Sequence, residues 1–278
     1  MTIAAGFIHR EGVLLCADTE HTGWTWKVQG AKLGHLEYRG GKVGWGYAGN
    51  TGFALSAIQE CARQLEGIEA VDALPRIRKV LWREYKRNVL DHPDHATDAS
   101  LHYNLLICLW STGEMPRLYV TTQTALREVD AYDCIGIGES IAHFLIRPSF
   151  IAGLSERGAL NLATHVLAGA KDYVPGCGGA SYFISIRNDG LIKEYDSIRT
   201  GHCRRLEAYS NLYEIKARRL LLAMADSGIN DAQFEEYLTG VFNPQILEIR
   251  HAWTAEKQAR IKEFSEVMRT EPIDPEDL

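Results

Sequence analysis

Strand-like and helix-like segments follow one another in blocks along this chain of 278 residues. Short apolar runs bounded by turn signals predict strands between residues 3 and 47, and apolar residues at spacings of three and four predict helices between 51 and 89. Strands return between 103 and 136, and further helices follow up to 167. A doubly wound parallel sheet would instead alternate single strands with single helices. The block order therefore predicts sheets covered by helices.

The first strands are predicted as a hairpin at the very start of the chain. Apolar runs at 3–8 and 13–17 flank His9-Arg-Glu-Gly12, which is a turn signal. A three-residue loop would place Thr2 opposite Asp18, and a two-residue loop would place it opposite Thr19. Either register brings the Asp18 carboxylate close to the start of the chain.

The pattern changes at about residue 205, where helical spacing takes over. Residues 205–220 and 246–267 are predicted as long helices, and 270–278 is acidic with two prolines. We therefore expect two domains: 1–204, which carries the strands, and 205–278, a helical extension with an acidic tail.

Composition narrows the class of protein. The formal net charge of −6 argues against a nucleic-acid partner, since phosphate contacts need clustered Lys and Arg. No stretch reaches the roughly 18 uncharged apolar residues of a membrane span. Charged residues interrupt the apolar start, so no signal peptide is predicted. We expect a cytoplasmic protein without a membrane segment.

The six cysteines point to the same compartment. They are scattered along the chain and form no C-x-x-C pair, which argues against a zinc site and against a disulfide framework. The loop containing His92 and His95 is rich in Asp, but a polar loop of this composition is usually solvated, so no metal site is predicted. The lone Gly136-x-Gly138 lacks a third glycine and is a weak nucleotide signal.

The first residues carry the chemistry. Met1 precedes a small residue, so its removal would leave Thr2 at the N-terminus with a hydroxyl nucleophile and an α-amine base on one residue. A lysine ammonium close by would lower the pKa of that amine and stabilise an alkoxide. Lys32 is the candidate, and Lys27 competes with it.

Four segments together resemble the proteasome β-subunit family. They are Thr2-Ile-Ala-Ala-Gly6, Gly12-Val-Leu-Leu-Cys-Ala-Asp18, Ala31-Lys-Leu33 and Tyr47-Ala-Gly-Asn-Thr-Gly52. The resemblance extends to bacterial relatives of that family, including Anbu-type homologues and the heat-shock-locus peptidase. It is clear over 2–66 and weaker to about residue 200.

The resemblance implies a four-layer α-β-β-α sandwich of the N-terminal nucleophile hydrolase type. It implies a threonine-type endopeptidase that needs no cofactor, acts on polypeptides or peptides, and works as a homo-oligomeric ring or stack; an ATP-dependent unfoldase partner stays unknown. Its catalytic residues would be Thr2, Asp18, Lys32, Gly49 (as oxyanion donor through its N–H) and Asp172. Its substrate pocket would be formed by His21, Gly30, Tyr47 and Thr51.

Two departures from the family pattern keep other functions open. Ile137 stands between Gly136 and Gly138, where the family has a serine. The serine expected soon after Asp172 is lost, or is replaced by Cys177 in a longer loop. A noncatalytic structural subunit and an amidase for small amides are therefore the alternative functions.

Overall fold

The structure is a computed structural model that describes residues 2–22, 27–196, 230–244, 247 and 251. The described strands are β1 (Ile3–His9), β2 (Gly12–Asp18), β3 (Glu20–Thr22), β4 (Lys27–Gln29), β5 (Leu33–Tyr38), β6 (Gly41–Gly49), β7 (Tyr103–Ser111), β8 (Arg117–Thr122), β9 (Ala125–Val129), β10 (Tyr132–Gly136), β11 (Ser181–Arg187) and β12 (Ile192–Asp196). The described α-helices are α1 (Thr51–Leu65), α2 (Ala70–Tyr85), α3 (Glu139–Ile146), α4 (Glu156–Tyr173) and α5 (Asp231–Tyr237).

The first sheet has the order β10-β1-β2-β11-β12, and all of its neighbouring strands are antiparallel. In the β1–β2 hairpin Ala4 pairs with Ala17 and His9 with Gly12, so the loop has two residues. The sequence left two registers open, and this is the two-residue-loop register, in which Thr2 would lie opposite Thr19.

The second sheet has the order β5-β6-β7-β8-β9 and is also antiparallel. Two glycines of β6 allow it to lie close to the first sheet. A Cβ on Gly44 would lie 3.0 Å from the Ile186 side chain and 3.3 Å from that of Leu15, and one on Gly46 would lie 3.7 Å from the Cβ of Ala4.

A buried apolar cluster joins the two sheets. It contains Ala4, Val13, Leu15 and Ala17 of the first sheet together with Leu33, Ala48, Leu106, Cys108, Leu118 and Val120 of the second. Removal of this surface from water is the main force that holds the sheets together. β1 and β2 carry residues of this cluster, so these two strands lie in the interior of the fold.

Helices α1 and α2 bury their apolar faces with the second sheet. A second cluster contains Ala54, Ala57, Ile58, Ala73, Ile77, Leu81 and Tyr85 of these helices with Leu105, Ile107 and Tyr119 of the sheet. Asn50 caps α1, because its side chain accepts a hydrogen bond from the N–H of Phe53 at 3.1 Å. Helix α2 begins at Ala70, and its N-cap residue Glu69 makes no capping hydrogen bond through its side chain.

Helices α3 and α4 pack against each other, and α4 contacts β1 and β2. A Cβ on Gly169 would lie 2.4 Å from the Leu145 side chain, so a larger residue there would require Leu145 to shift. The described structure is thus a mixed α+β fold with antiparallel sheets and five α-helices.

The chain divides into two compact units, Met1–Ser210 and Asn211–Leu278. In the second unit α5 starts with a capping box, in which Asn230 and Gln233 each bond to the backbone of the other. The long helices predicted for 205–220 and 246–267 lie almost wholly outside the described residues, so the predicted boundary at 204 stays a prediction. Within the described part, no helix combines the length and the apolar character needed to cross a bilayer.

Candidate active site

A buried ion pair lies beside the start of β1. The Nζ of Lys32 donates to Oδ1 of Asp18 at 2.7 Å, and both side chains are inaccessible to solvent. The same ammonium donates to the carbonyl oxygen of Glu20. Lys27, the competing candidate, is largely exposed and pairs with Glu20 at 2.8 Å. Lys32 is therefore the lysine that contacts Asp18.

The Asp18 carboxylate connects three distant parts of the chain. Besides Lys32, its Oδ1 accepts the N–H of Ile3 at 3.2 Å, and its Oδ2 accepts the N–H of Gly178 at 2.9 Å. A buried charge is tolerated when it is paired and hydrogen-bonded. Both oxygens of Asp18 meet that condition, and the bond to Ile3 places the carboxylate one residue from Thr2.

The environment of Lys32 lowers the pKa of its ammonium group. Burial lowers the pKa of Lys32 below its ordinary value of 10.5, and the charge and hydrogen bond of Asp18 oppose that effect. Because Asp18 supports the charged form, the ammonium can act as a fixed positive charge in the interior.

Thr2 is buried immediately before β1, and its backbone is held by the end of β10. The N–H of Gly138 donates to the Thr2 carbonyl at 3.4 Å. Gly136 has a φ of +101°, and a Cβ there would lie 2.2 Å from the carbonyl oxygen of Thr2, so only glycine is accommodated. The two glycines of Gly136-Ile-Gly138 thus serve to position Thr2.

Gly49 ends β6 directly before the N-cap of α1. Its φ is +94°, and a Cβ would lie 2.3 Å from the His102 carbonyl oxygen, so the turn requires glycine. Backbone N–H groups at a helix N-terminus stabilise developing negative charge. The predicted role of the Gly49 N–H as an oxyanion donor fits this position and remains a prediction.

The four residues predicted for a substrate pocket lie together. The Nδ1 of His21 is 3.4 Å from Oγ1 of Thr51, and the rings of His21 and Tyr47 have centroids 6.2 Å apart. A Cβ on Gly30 would lie 3.0 Å from Nε2 of His21. Burial, followed by the charge of Lys32, lowers the pKa of His21, so this ring is neutral near pH 7.

Asp172, predicted as a catalytic residue, lies exposed in the last turn of α4. The Asp18–Lys32 pair, in contrast, is inaccessible to solvent. Cys177, by contrast, is buried near Gly138, where an added Cβ would lie 3.2 Å from its sulfur. Burial, with a further effect from Asp18, raises the pKa of Cys177 to about 11, so its thiol is protonated near neutral pH.

The segment from 174 to 180 has a positioning role that the sequence did not reveal. The Gly178 N–H binds Asp18, and the Gly178 carbonyl accepts the N–H of Glu20 at 3.1 Å. The Ala180 N–H donates to Oγ1 of Thr19 at 2.8 Å. The glycine-rich run 176–179 is the one sequence signal that could have indicated such close backbone contacts.

Chemically, the site offers a buried ammonium, its carboxylate partner and a helix N-terminus around the first residues of β1. In the part of the chain that the structure describes, no group of three or more His, Cys, Asp or Glu side chains is placed to hold a metal ion.

The architecture is that of an α+β protein built on two antiparallel five-stranded sheets. No protein-family model and no curated protein sequence matches the chain.

Solved structures of Anbu proteins share this fold. An Anbu (Gly-1) mutant from Hyphomicrobium sp. strain MC1 aligns over 81% of this chain and 99% of its own, with a TM-score of 0.68 and 15% identity. Anbu (ancestral beta-subunit) from Yersinia bercovieri aligns over 77% and 97%, with a TM-score of 0.64 and 14% identity. The helical assembly of the Anbu complex from Pseudomonas aeruginosa aligns over 78% and 96%, with a TM-score of 0.62 and 14% identity.

The predicted membership of the proteasome β-subunit family was therefore wrong. The neighbours are Anbu structures, and identities of 14–15% establish a common fold and nothing narrower. The physical reason is that several residues of the motifs used for the prediction are required by the backbone conformation of the fold. Gly12 and Gly49 adopt positive φ against neighbouring strands, and Asp18 binds the start of β1. Such residues identify a fold more readily than a family.

Proposed function

We propose that this chain is a threonine-type endopeptidase that works within a self-compartmentalising, proteasome-like assembly. The observation that carries the proposal is the fully buried Asp18–Lys32 pair, one residue from Thr2. Burial of a charged pair is costly, and replacement by apolar residues is often neutral or stabilising. We therefore infer that this buried pair beside Thr2 serves a reaction of the Thr2 hydroxyl and does not serve stability.

The mechanism begins once removal of Met1 has made Thr2 the N-terminal residue. The α-amine accepts the hydroxyl proton, and Oγ1 of Thr2 attacks the substrate carbonyl to form a tetrahedral intermediate. This intermediate collapses to an acyl-enzyme when the C–N bond breaks and the amine product leaves with the proton taken from the hydroxyl. Lys32 stabilises the developing alkoxide and keeps the α-amine neutral, while Asp18 holds Lys32 in place. The Gly49 N–H stabilises the oxyanion. Water then releases the acyl product.

The proposed architecture is a four-layer α-β-β-α sandwich. The apolar cluster between the sheets supports the two inner layers, and the packing of α1 and α2 on one sheet and of α4 on the other supports the outer layers.

We further propose a homo-oligomer, since the fold is shared with a protein whose structure is a helical assembly. Residues 205–278 would form a separate helical domain that contributes contacts between copies, and polypeptides would be the substrate. Sedimentation of the full chain should give a mass of several copies, whereas a monomer at every concentration would contradict this part of the proposal.

The central experiment combines intact mass with one substitution. The purified chain should be lighter than its full sequence by one methionine, and it should hydrolyse fluorogenic peptides. Thr2→Ala should abolish that hydrolysis, because the nucleophile is lost, without changing the assembled mass. A chain that retains Met1, or a Thr2→Ala variant as active as the wild type, would reject the catalytic role of Thr2.

A noncatalytic structural subunit is the second candidate. Ile137 is half exposed between Gly136 and Gly138, where a hydroxyl is absent, and Cys177 is buried as a protonated thiol. Both features remove groups that could relay a proton. Assembly without hydrolysis of any peptide by the N-terminally processed chain would favour this function.

A further inference from the structure

The turn that contains Gly49 is held in place by the backbone of His102. The N–H of Asn50 donates to the His102 carbonyl at 2.9 Å, and this carbonyl oxygen would lie 2.3 Å from a Cβ on Gly49. Gly49 is paired with Tyr103, the residue after His102. In an antiparallel ladder a hydrogen bond between the residues that flank such a pair marks it as non-hydrogen-bonded, so the Gly49 N–H is not committed to Tyr103. The position of His102 therefore sets the position of the predicted oxyanion donor.

The side chain of His102 is fixed at both ring nitrogens. Its Nδ1 lies 2.6 Å from the hydroxyl oxygen of Tyr85, the last residue of α2, and its Nε2 lies 3.2 Å from the His95 carbonyl oxygen. A carbonyl oxygen only accepts hydrogen bonds, so Nε2 carries the proton, and Nδ1 of the neutral ring accepts the Tyr85 O–H. Burial raises the pKa of Tyr85, which keeps that hydroxyl protonated near neutral pH. A single tautomer of His102 thus satisfies both contacts.

The two partners of the His102 ring are themselves well held. The Tyr85 ring is buried in the apolar cluster that joins α1 and α2 to the second sheet, and its centroid lies 5.3 Å from that of Tyr103. On the other side, the N–H of His95 donates to the His92 carbonyl at 3.1 Å, which closes a turn of the loop after α2. A packed helix end and this loop therefore fix the residue whose carbonyl holds the Gly49 turn.

We propose that Tyr85 and His102 are positioning residues for the proposed peptidase, since their hydrogen bond holds the His102 carbonyl where it orients the Gly49 N–H towards the oxyanion. This inference rests on the proposed function. Both side chains act through the backbone, and neither has to touch the substrate. A preorganised donor stabilises the transition state only while its direction stays fixed, so a small shift of the turn slows the chemical step more than it weakens substrate binding.

Tyr85→Phe tests the proposal, because it removes the hydroxyl and leaves the ring in the apolar cluster. For the full-length, processed protein on a fluorogenic peptide, kcat should fall roughly tenfold while KM stays within about twofold of wild type. Tyr38→Phe is the matched control. Tyr38 lies on β5 of the same sheet, and its hydroxyl donates to the Trp110 carbonyl at 3.5 Å. This variant should leave both constants unchanged.

A pair of inhibitors provides a readout that is specific to the oxyanion. With a peptide aldehyde, Oγ1 of Thr2 adds to the aldehyde carbon and the hydroxyl proton passes to the α-amine, so the former carbonyl oxygen becomes an oxyanion. The matching peptide alcohol forms no such adduct. In Tyr85→Phe the inhibition constant of the aldehyde should rise roughly tenfold, in step with the loss of kcat/KM, and that of the alcohol should stay within about twofold.

Variants of His102 cover the case in which Tyr85→Phe does not fold. His102→Asn places an amide oxygen near the position of Nδ1, where it can accept the Tyr85 hydroxyl, whereas His102→Ala cannot. We expect kcat within about threefold of wild type in His102→Asn and a loss of roughly tenfold or more in His102→Ala.

The outcomes separate this inference from the proposed function. An unchanged kcat in folded Tyr85→Phe would overturn the inference and leave the peptidase function standing. The same would follow from an equal loss in Tyr38→Phe, from equal weakening of aldehyde and alcohol, or from equal kcat in the two His102 variants. A processed wild type that hydrolyses no peptide would reject the peptidase function, and the inference would fall with it.

Discussion

Lys32 shows most directly how one residue links stability and function in this protein. Its ammonium is buried and paired with the Asp18 carboxylate, and loss of one partner from such a pair typically costs about 3–5 kcal/mol. Lys27 lies five positions earlier, yet its side chain is mostly exposed and pairs at the surface, where an ion pair contributes about 0–1 kcal/mol. The two lysines form a natural pair for comparison.

We expect Lys32→Ala to lower peptidase turnover at least about a hundredfold, which is typical for loss of one group that stabilises transition-state charge. Lys27→Ala should leave turnover within about threefold of wild type, since its charge is screened by solvent. Turnover of a fluorogenic peptide is the measurement, and a thermal melt shows whether each variant is folded. The opposite order of effects would move the candidate site to Lys27.

The pH dependence of activity should also report on Lys32. Burial lowers the pKa of Lys32, so its charge is lost at a lower pH than that of an ordinary lysine. Activity should therefore decline on the alkaline side at a pH below the usual lysine value of about 10.5. In Lys32→Arg, whose guanidinium stays charged, any residual activity should lack this decline. The same decline in the arginine variant would assign it to another group.

At the scale of elements, close backbone contacts hold the start of β1 in place. Gly136 at the end of β10 and Gly138 at the N-cap of α3 lie around the Thr2 carbonyl, and the segment from 174 to 180 supplies the Gly178 N–H to Asp18. These segments are more than 130 residues away in sequence, so the site forms only when β1 has been enclosed by both of them.

Gly136→Ala should test the contact between β10 and β1. The added Cβ would lie 2.2 Å from the carbonyl oxygen of Thr2, and the residue would have to keep a φ of +101°. We therefore expect the free energy of unfolding to fall by about 3 kcal/mol and activity to be lost. Gly153→Ala is the matched control, because Gly153 has a φ of +77° with no atom within 4 Å of the added Cβ. It should cost only about 1 kcal/mol. Equal losses in urea unfolding would show that the close contact has no effect.

At the scale of the whole molecule, stability depends on groups that must stay uncharged inside it. His9 is buried at the end of β1, where Nδ1 accepts the N–H of Glu11 at 3.2 Å and lies 3.4 Å from Oε2 of the same residue, and Nε2 is 3.4 Å from Oγ of Ser185. Burial lowers the pKa of His9, and the hydrogen bond to Glu11 opposes this effect only in part. The ring is therefore neutral in the folded protein at neutral pH.

The stability of the protein should fall as the pH drops below about 6.5, the ordinary histidine value. Between that value and the lower pKa of folded His9, the unfolded chain binds more protons than the folded chain, so acid favours unfolding. The stabilisation that comes from keeping His9 neutral is complete above about pH 6.5. His9→Gln should show a smaller loss of unfolding free energy between pH 7 and pH 5, measured by urea denaturation. His92→Gln, at a partly exposed loop position, should keep the wild-type loss. An unchanged loss in His9→Gln would exclude this source of acid sensitivity.

The sequence by itself determined the local elements and the residue types of the site. Periodicity predicted helices between residues 51 and 89, and the structure has α1 at Thr51–Leu65 and α2 at Ala70–Tyr85, because apolar spacing is a local signal. It also identified Asp18 and Lys32 as candidate partners. It could not choose between the two hairpin registers, which depend on the loop geometry between β1 and β2.

Tertiary structure decided which candidates meet. The choice of Lys32 over Lys27, the exposed position of Asp172 and the contact of Gly178 with Asp18 all follow from how the two sheets and the segment 174–180 enclose β1. Hydrogen bonds between residues 160 positions apart leave no periodic pattern in a single sequence. Burial, which sets the pKa of Lys32 and of His21, likewise exists only once both sheets have packed, because it depends on which surfaces exclude water.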